Sequence, residues 1–220
     1  MQQVLDNLIE GYQAFREHYF EGTNVKFEEL VKHGQQPKFL VVACSDSRVD
    51  PAIVLNCEPG DLFVVRNVAN LIPLYEVDEH YHGTSAALEF GIQVLGIQHI
   101  IVFGHSQCGG ITSLFNDNKK IANAENFVTK WMELVRPAHD HVVHAYPHAS
   151  REEHVEYCAQ HSLLNSLHNL NSFPWIAKKV KAGQLVLHAW YFQLATGMIE
   201  AFDSKTNCFK ELLSLYNIKK

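Results

Sequence analysis

The chain has 220 residues, a formal net charge of −6, 47% hydrophobic residues and 19% charged residues. These values are typical of a globular protein with one large core. The acidic balance and the lack of a Lys/Arg-rich run argue against nucleic-acid binding. No apolar run reaches the roughly 20 residues that a membrane span needs, and the first residues do not resemble a secretory signal.

The five cysteines are scattered along the chain and odd in number. Such a set does not suggest a disulfide framework in a protein of this size. Free thiols are typical of a reducing compartment, where they pack, bind metal or take part in catalysis. We therefore expect a cytoplasmic protein.

Apolar spacing predicts the secondary structure in chain order. Residues 1–33 carry apolar residues at helical spacing and predict an N-terminal helical arm. Continuous apolar runs predict three buried strands, KFLVVAC, LFVVR (62–66) and HIIVFG (99–104), with a helix, TSAALEFGIQVLG, before the third. A helix starts at CGGITSLFND, residues 118–182 look helical, and QLVLHAWYF, GMIEAFD and KELLSLYNI predict two strands and a C-terminal helix.

Strands that alternate with helices, each apolar along its length, predict an α/β fold with a mainly parallel central β-sheet flanked by helices. No repeat or linker divides the chain, so we expect one domain over residues 1–220. Residues 1–33 would form an arm able to wrap a neighbouring subunit. Residues 34–220 would form the α/β core and end in the C-terminal helix.

Reactive residues follow the predicted strands. Cys44 ends the first strand, Arg66 ends the second and His105 follows the third. Because ligand sites in such sheets lie outside the carboxyl ends of the strands, we expect these residues to converge on one edge. We expect Arg66 to anchor the loop there rather than to act in a reaction.

The segment GHSQCGG (104–110) places His105 and Cys108 two residues apart, and Cys44 reaches the same edge from the neighbouring strand. Two thiolates and one imidazole suit zinc, and three protein ligands leave a fourth position open, as in catalytic zinc sites. The spacing alone leaves unreactive buried cysteines as an alternative.

Three segments, ACSDSR (43–48), VVRNVANLIP (64–73) and GHSQCGG, resemble the β-class carbonic anhydrases in order and spacing. The resemblance implies one Zn²⁺ per chain, held by Cys44, His105 and Cys108. It also implies an acid–guanidinium pair, Asp46 and Arg48, beside the metal. The implied reaction is the reversible hydration of CO₂ to bicarbonate and a proton, by attack of zinc-bound hydroxide.

The sequence is more similar to the plant-type pattern within this family. That pattern implies a substrate pocket lined by Gln35, Phe63, Val68 and Phe90, with Gln35 reaching across a subunit contact. Phe90 stands where a Tyr is usual, which removes a hydroxyl from the pocket. The family also implies a homodimer or a larger even-numbered homo-oligomer. Charge and the lengths of the apolar runs give no nucleic-acid or membrane partner.

Two other functions use the same ligands. One is the hydrolysis of carbonyl sulfide or carbon disulfide, and the other is a zinc protein without catalysis. The Asp46 and Arg48 pair argues against the second, since a closed structural site needs neither residue.

The histidine-rich segment 139–148 is expected to be a solvated helix-and-turn surface.

Overall fold

The computed structural model describes residues 2–115 and 127–218. Two N-terminal helices, α1 (Gln2–Phe20) and α2 (Lys26–His33), precede the sheet. The first apolar run forms β1 (Phe39–Cys44), and its last five residues are buried. The second and third runs form β2 (Leu62–Asn67) and β3 (His99–His105). Sequence periodicity therefore located all of these elements.

The described residues form a six-stranded sheet in the order β2-β1-β3-β4-β5-β6. The last three strands are β4 (Val186–Gln193), β5 (Met198–Asp203) and β6 (Cys208–Glu211). The first four strands in chain order pair in parallel, whereas β5 and β6 pair antiparallel at one edge. The predicted α/β class with a mainly parallel sheet is confirmed.

Helices cover the sheet between and after these strands. They are α3 (Pro51–Val54), α4 (Gly83–Glu89), α5 (Gly109–Ser113), α6 (Phe127–Met132), α7 (Arg136–Ala145), α8 (Arg151–Leu170), α9 (Pro174–Lys181) and α10 (Leu212–Leu215). Phe90–Val94 extends α4 as a π-helical turn, and Val68–Asn70 and Glu133–Val135 form short 3-10 turns. The first nine residues of the middle region predicted as helical, 118–126, lie outside the described residues.

Alternating side chains of the central strands enter two cores, one on each face of the sheet. The larger core includes Leu40 and Val42 of β1 and the apolar faces of α7, α8 and α9. The smaller core contains Val41 and Ala43 from the same strand. Burial on both faces explains why β1 is apolar at every position, and it makes the strand a rigid support for the residues at its end.

The C-terminal helix is shorter than predicted. Lys210 and Glu211 belong to β6, and only Leu212–Leu215 is helical. Phe209 lies 5.5 Å from Phe202 between ring centroids, so packing against β5 holds this segment extended. A four-residue strand is too short to show alternation in the sequence.

None of the helices within the described part of the chain has the length and apolar character needed to cross a bilayer.

Candidate metal centre

Three metal-binding side chains meet at the carboxyl edge of the sheet. Cys44 is the last residue of β1, His105 is the last residue of β3, and Cys108 stands directly before α5. Their ligand atoms all lie within 4.8 Å of one another, and 3.9 Å separates the two Sγ atoms. At most 5% of each residue is exposed. The fold therefore produces the convergence that the strand ends predicted.

The His105 ring is oriented with one nitrogen free for a cation. Its Nδ1 lies 2.8 Å from the carbonyl oxygen of Ser106, and because a carbonyl only accepts, Nδ1 carries a proton. Nε2 is buried and has no hydrogen-bond partner within the described chain. A buried polar atom without a partner is costly, and a cation on Nε2 would remove that cost. The Ser106 carbonyl thus fixes the ring in the form that binds metal.

The two thiols act as a coupled pair. The hydrogen bond between the Cys44 and Cys108 sulfurs lowers the pKa of Cys44, and the same bond, with burial, raises the pKa of Cys108. The two sulfurs therefore face each other in a place where a divalent cation can neutralise both as thiolates. Two thiolates and one imidazole are a donor set that suits zinc. The residues present fit a zinc ion.

Asp46 and Arg48 form an ion pair beside these ligands. Arg48 Nε donates to Oδ1 of Asp46 across 2.9 Å, and Nη2 donates to Oδ2 across 2.7 Å. Oδ2 lies 4.0 Å from Nε2 of His105. The hydrogen bonds from Arg48 hold the pKa of Asp46 well below its usual range. An ionised carboxylate therefore faces the metal-binding group.

Arg66 holds the loop that carries Asp46. Its Nε donates to the carbonyl oxygen of Cys44 across 2.9 Å, and its Nη2 donates to that of Asp46 across 2.6 Å. Its Nη1 donates to Oδ2 of Asp50 across 2.8 Å. Three acceptors on one planar guanidinium fix the backbone on both sides of the site. These contacts agree with the anchoring role expected from the sequence.

The residues predicted to line a substrate pocket lie in three places. The rings of Phe63 and Phe90 stack with centroids 6.0 Å apart. Val68 begins the turn whose next residue, Ala69, donates its N–H to Sγ of Cys44 across 3.4 Å. Gln35 is exposed on the segment between α2 and β1. Within one chain, Val68 therefore lies beside a ligand, whereas Phe63 lies level with Leu40, four residues before Cys44 on β1.

Sequence reasoning missed two contributors. Asp50 caps α3, accepting from the N–H of Ala52 across 3.0 Å, and also binds Arg66. An Asp directly before a Pro is a helix-start signal, so the cap was detectable, although its second partner was not. Ala69 contributes through its backbone N–H alone, and no side-chain pattern reports such a contact.

An α/β fold with three buried Cys and His ligands beside an ionised carboxylate defines a zinc protein of the catalytic type. A family profile described as carbonic anhydrase matches residues 39–199. Together with the relatives below, this places the chain in the β-carbonic anhydrase family. Members of this family are zinc lyases, and zinc is the cofactor of this chain.

Relatives agree along most of the chain. A carbonic anhydrase of Synechocystis is 37% identical over 205 residues, covering 93% of this chain and 73% of the relative's length. The structure of the β-carbonic anhydrase CcaA superposes with a TM-score of 0.85 and 37% identity, over 94% of this chain and 98% of that one. A tetrameric β-carbonic anhydrase of Sordaria macrospora gives a TM-score of 0.74 at 25% identity, over 95% and 96% of the two chains.

Proposed function

We propose that this chain catalyses the reversible hydration of CO₂ to bicarbonate and a proton at the Cys44, His105 and Cys108 cluster. The unpartnered Nε2 of His105, buried beside two facing thiols, is the observation that carries this proposal. When bound, Zn²⁺ supplies a Lewis acid that makes water more acidic, less strongly than with three imidazoles because two thiolates cancel its charge.

We assign Asp46 the task of orienting the reacting water. Its Oδ2, 4.0 Å from Nε2 of His105, is close enough to the cluster to accept a hydrogen bond from a water there. Because its pKa is depressed by Arg48, the carboxylate accepts this bond and stays ionised. A water that donates to Asp46 points a lone pair away from it, toward the incoming substrate. Arg48 clamps the carboxylate with two parallel bonds, which fixes that direction.

We assign the walls of the substrate pocket to Phe63, Val68 and Phe90. Apolar side chains suit CO₂, which is small and uncharged, and Phe63 and Phe90 already stack on each other. Gln35 would donate a hydrogen bond to a substrate oxygen from a neighbouring subunit. Its exposed position in one chain is compatible with such a contact.

We further propose an even-numbered homo-oligomer in which residues 1–33 act as an arm on the α/β core. Helix α1 has no buried residue, and its apolar Val4, Leu8 and Tyr12 are more than 60% exposed. Such a face is suited to a second copy of the chain. The relative from Sordaria macrospora is described as tetrameric.

All five cysteines are free thiols, which supports a cytoplasmic location.

Stopped-flow assays with zinc-loaded protein test the proposed reaction. We expect CO₂ hydration well above the buffer rate and little release of sulfide from carbonyl sulfide. Because two thiolates weaken the Lewis acid, activity should rise with pH through a group that titrates above neutrality. A flat profile from about pH 6 to about pH 9 would contradict the charge argument. Fast sulfide release without CO₂ hydration would instead assign the site to the other substrate class.

A further inference from the structure

The turn Val68–Asn70, next to the metal centre, has a strained backbone. Ala69 has φ 63° and ψ 23°, and Asn70 has φ 51°. Two consecutive residues that are not glycine thus occupy the left-handed region, where the Cβ atom crowds the backbone. Such strain persists only where surrounding contacts impose it, and it concentrates at functional sites.

Asn67 is the main contact that imposes this conformation. Its Oδ1 accepts from the N–H of Leu71 across 2.8 Å, and its Nδ2 donates to the carbonyl oxygen of Leu71 across 2.9 Å. One amide side chain thereby binds both backbone polar groups of Leu71 and closes the turn. The ring N–H of Trp131 adds a hydrogen bond to the carbonyl oxygen of Val68 across 2.8 Å.

Helix α5 approaches the turn so closely that a side chain at Gly110 would crowd it. A Cβ on Gly110 would lie 3.1 Å from Cγ1 of Val68 and 3.3 Å from Cβ of Ala69. These separations are tight for carbon atoms. The turn is therefore held by Asn67 at its base and by the helix that follows the ligand Cys108.

The strained turn directs one donor at a metal ligand. The N–H of Ala69 donates to Sγ of Cys44 across 3.4 Å, and Ala69 is 1% exposed. The bond is therefore shielded from bulk solvent. A hydrogen bond to a thiolate withdraws electron density from the sulfur, so less charge reaches a bound cation. Two thiolates make the bound cation a weaker Lewis acid, and the hydrogen bond from Ala69 partly restores its strength.

We infer that the turn Val68–Asn70, locked by Asn67, tunes the metal through the Ala69 N–H bond to Cys44. Because Val68 lies on the same turn, it also couples a wall of the substrate pocket to that ligand. The inference rests on the proposed function in two respects, namely that Cys44 binds the metal and that Val68 lines the substrate pocket. Ala69 and Asn67 are positioning residues here, since neither side chain needs to touch substrate.

Replacing Ala69 by L-lactic acid, an amide-to-ester change, deletes this N–H and leaves the side chain in place. The readout is the near-ultraviolet sulfur-to-metal charge-transfer band of the Cd²⁺-loaded protein. Loss of the hydrogen bond raises the energy of the sulfur lone pairs, so the band should move to longer wavelength. Asn67→Ala should move it in the same direction, because the turn is released. The pH midpoint of hydration by the zinc form should rise in both.

Two matched controls keep the N–H in place. Ala69→Gly retains the donor and suits a positive φ, and Thr84→Ala removes only the 3.3 Å contact between Nδ2 of Asn67 and the Thr84 hydroxyl. Both should leave the band unmoved. If the protein with the ester bond at position 69 has its charge-transfer band at the same wavelength as the parent, the inference is overturned. If the ester chain does not fold, an unmoved band in Asn67→Ala overturns it equally.

Cys44→Ser separates this inference from the proposed function. If Cys44 binds the metal, this variant loses part of the charge-transfer intensity. Undiminished intensity would show that Cys44 is not a ligand, and the proposed site would then fail together with its tuning. Lost intensity in Cys44→Ser with an unmoved band in the ester chain would leave the site intact and reject the tuning alone.

Discussion

The two ends of the central strands differ in the hydrogen bonding of their histidine side chains. At the amino end, Nδ1 of His99 and Nε2 of His188 share a hydrogen bond of 3.2 Å, and Phe39 stacks on His99. At the carboxyl end, Nε2 of His105 is buried with no partner among the described residues. The first pair satisfies itself and supports the fold. At the carboxyl end, a cation would satisfy Nε2 of His105, and the two cysteine sulfurs lie beside it to bind the same ion.

The largest effect should follow the loss of one ligand at the carboxyl end. Cys108→Ala leaves two protein ligands, too few to hold zinc against dialysis. We expect bound zinc, measured by elemental analysis, to fall to background and CO₂ hydration to fall to the buffer rate. Cys158→Ala is the matched control, since it removes a fully buried cysteine from another part of the core. Equal zinc loss in both variants would contradict the assignment.

A smaller loss should follow Asp46→Asn, which preserves shape and removes the charge. The amide cannot remain an ionised acceptor for water, so we expect hydration to fall by about 10²-fold or more. Zinc content should stay at the parent level, because Asp46 is not one of the three proposed ligands. Asp203→Asn serves as control, because that carboxylate is also ion-paired, to Lys210 at 2.8 Å. Full activity in Asp46→Asn would remove Asp46 from the mechanism.

The loop anchor should matter more for stability than for the reaction itself. Arg66→Met leaves the carbonyl oxygens of Cys44 and Asp46 and the carboxylate of Asp50 without this donor. We expect the free energy of unfolding to fall by about 3 kcal/mol, since three hydrogen bonds are lost and each has a net value of about 1 kcal/mol. Urea unfolding measures this change. A variant as stable as the parent would show that the loop after β1 does not depend on the hydrogen bonds from Arg66.

The smallest effect should come from the amino end and appear only in acid. Burial and the neighbouring His99 lower the pKa of His188 to about 4, from 6.5. In that interval the unfolded chain binds a proton at His188 that the folded chain does not, so stability falls as the pH falls from 6.5 toward 4.

His188→Gln should flatten this part of the pH dependence, because glutamine does not titrate. Urea midpoints at about pH 7 and about pH 5 should differ less in the variant than in the parent. Hydration at neutral pH should not change, since His188 lies at the far end of the strands. An identical loss of stability in both proteins would show that His188 does not control it.

The sequence predicted those parts of the molecule that depend on local pattern. Continuous apolar runs predicted β1 and β3. Because ligand sites lie at the carboxyl ends of parallel strands, the sequence also predicted that Cys44 and His105 lie close together. The extended form of Lys210 and Glu211 was not predictable, because it depends on the pairing of β6 with β5. The left-handed Ala69 was also hidden, since its conformation is imposed by Asn67 and its contribution is a backbone N–H.

The central claim is that the unsatisfied carboxyl edge of the sheet becomes active by binding one zinc ion. Metal-stripped protein should be titrated with Zn²⁺ while CO₂ hydration is followed by stopped flow. We expect activity to start at the buffer rate, to rise linearly and to stop rising at one zinc per chain. Full activity before any zinc is added, or one tightly bound zinc per chain without hydration, would contradict it.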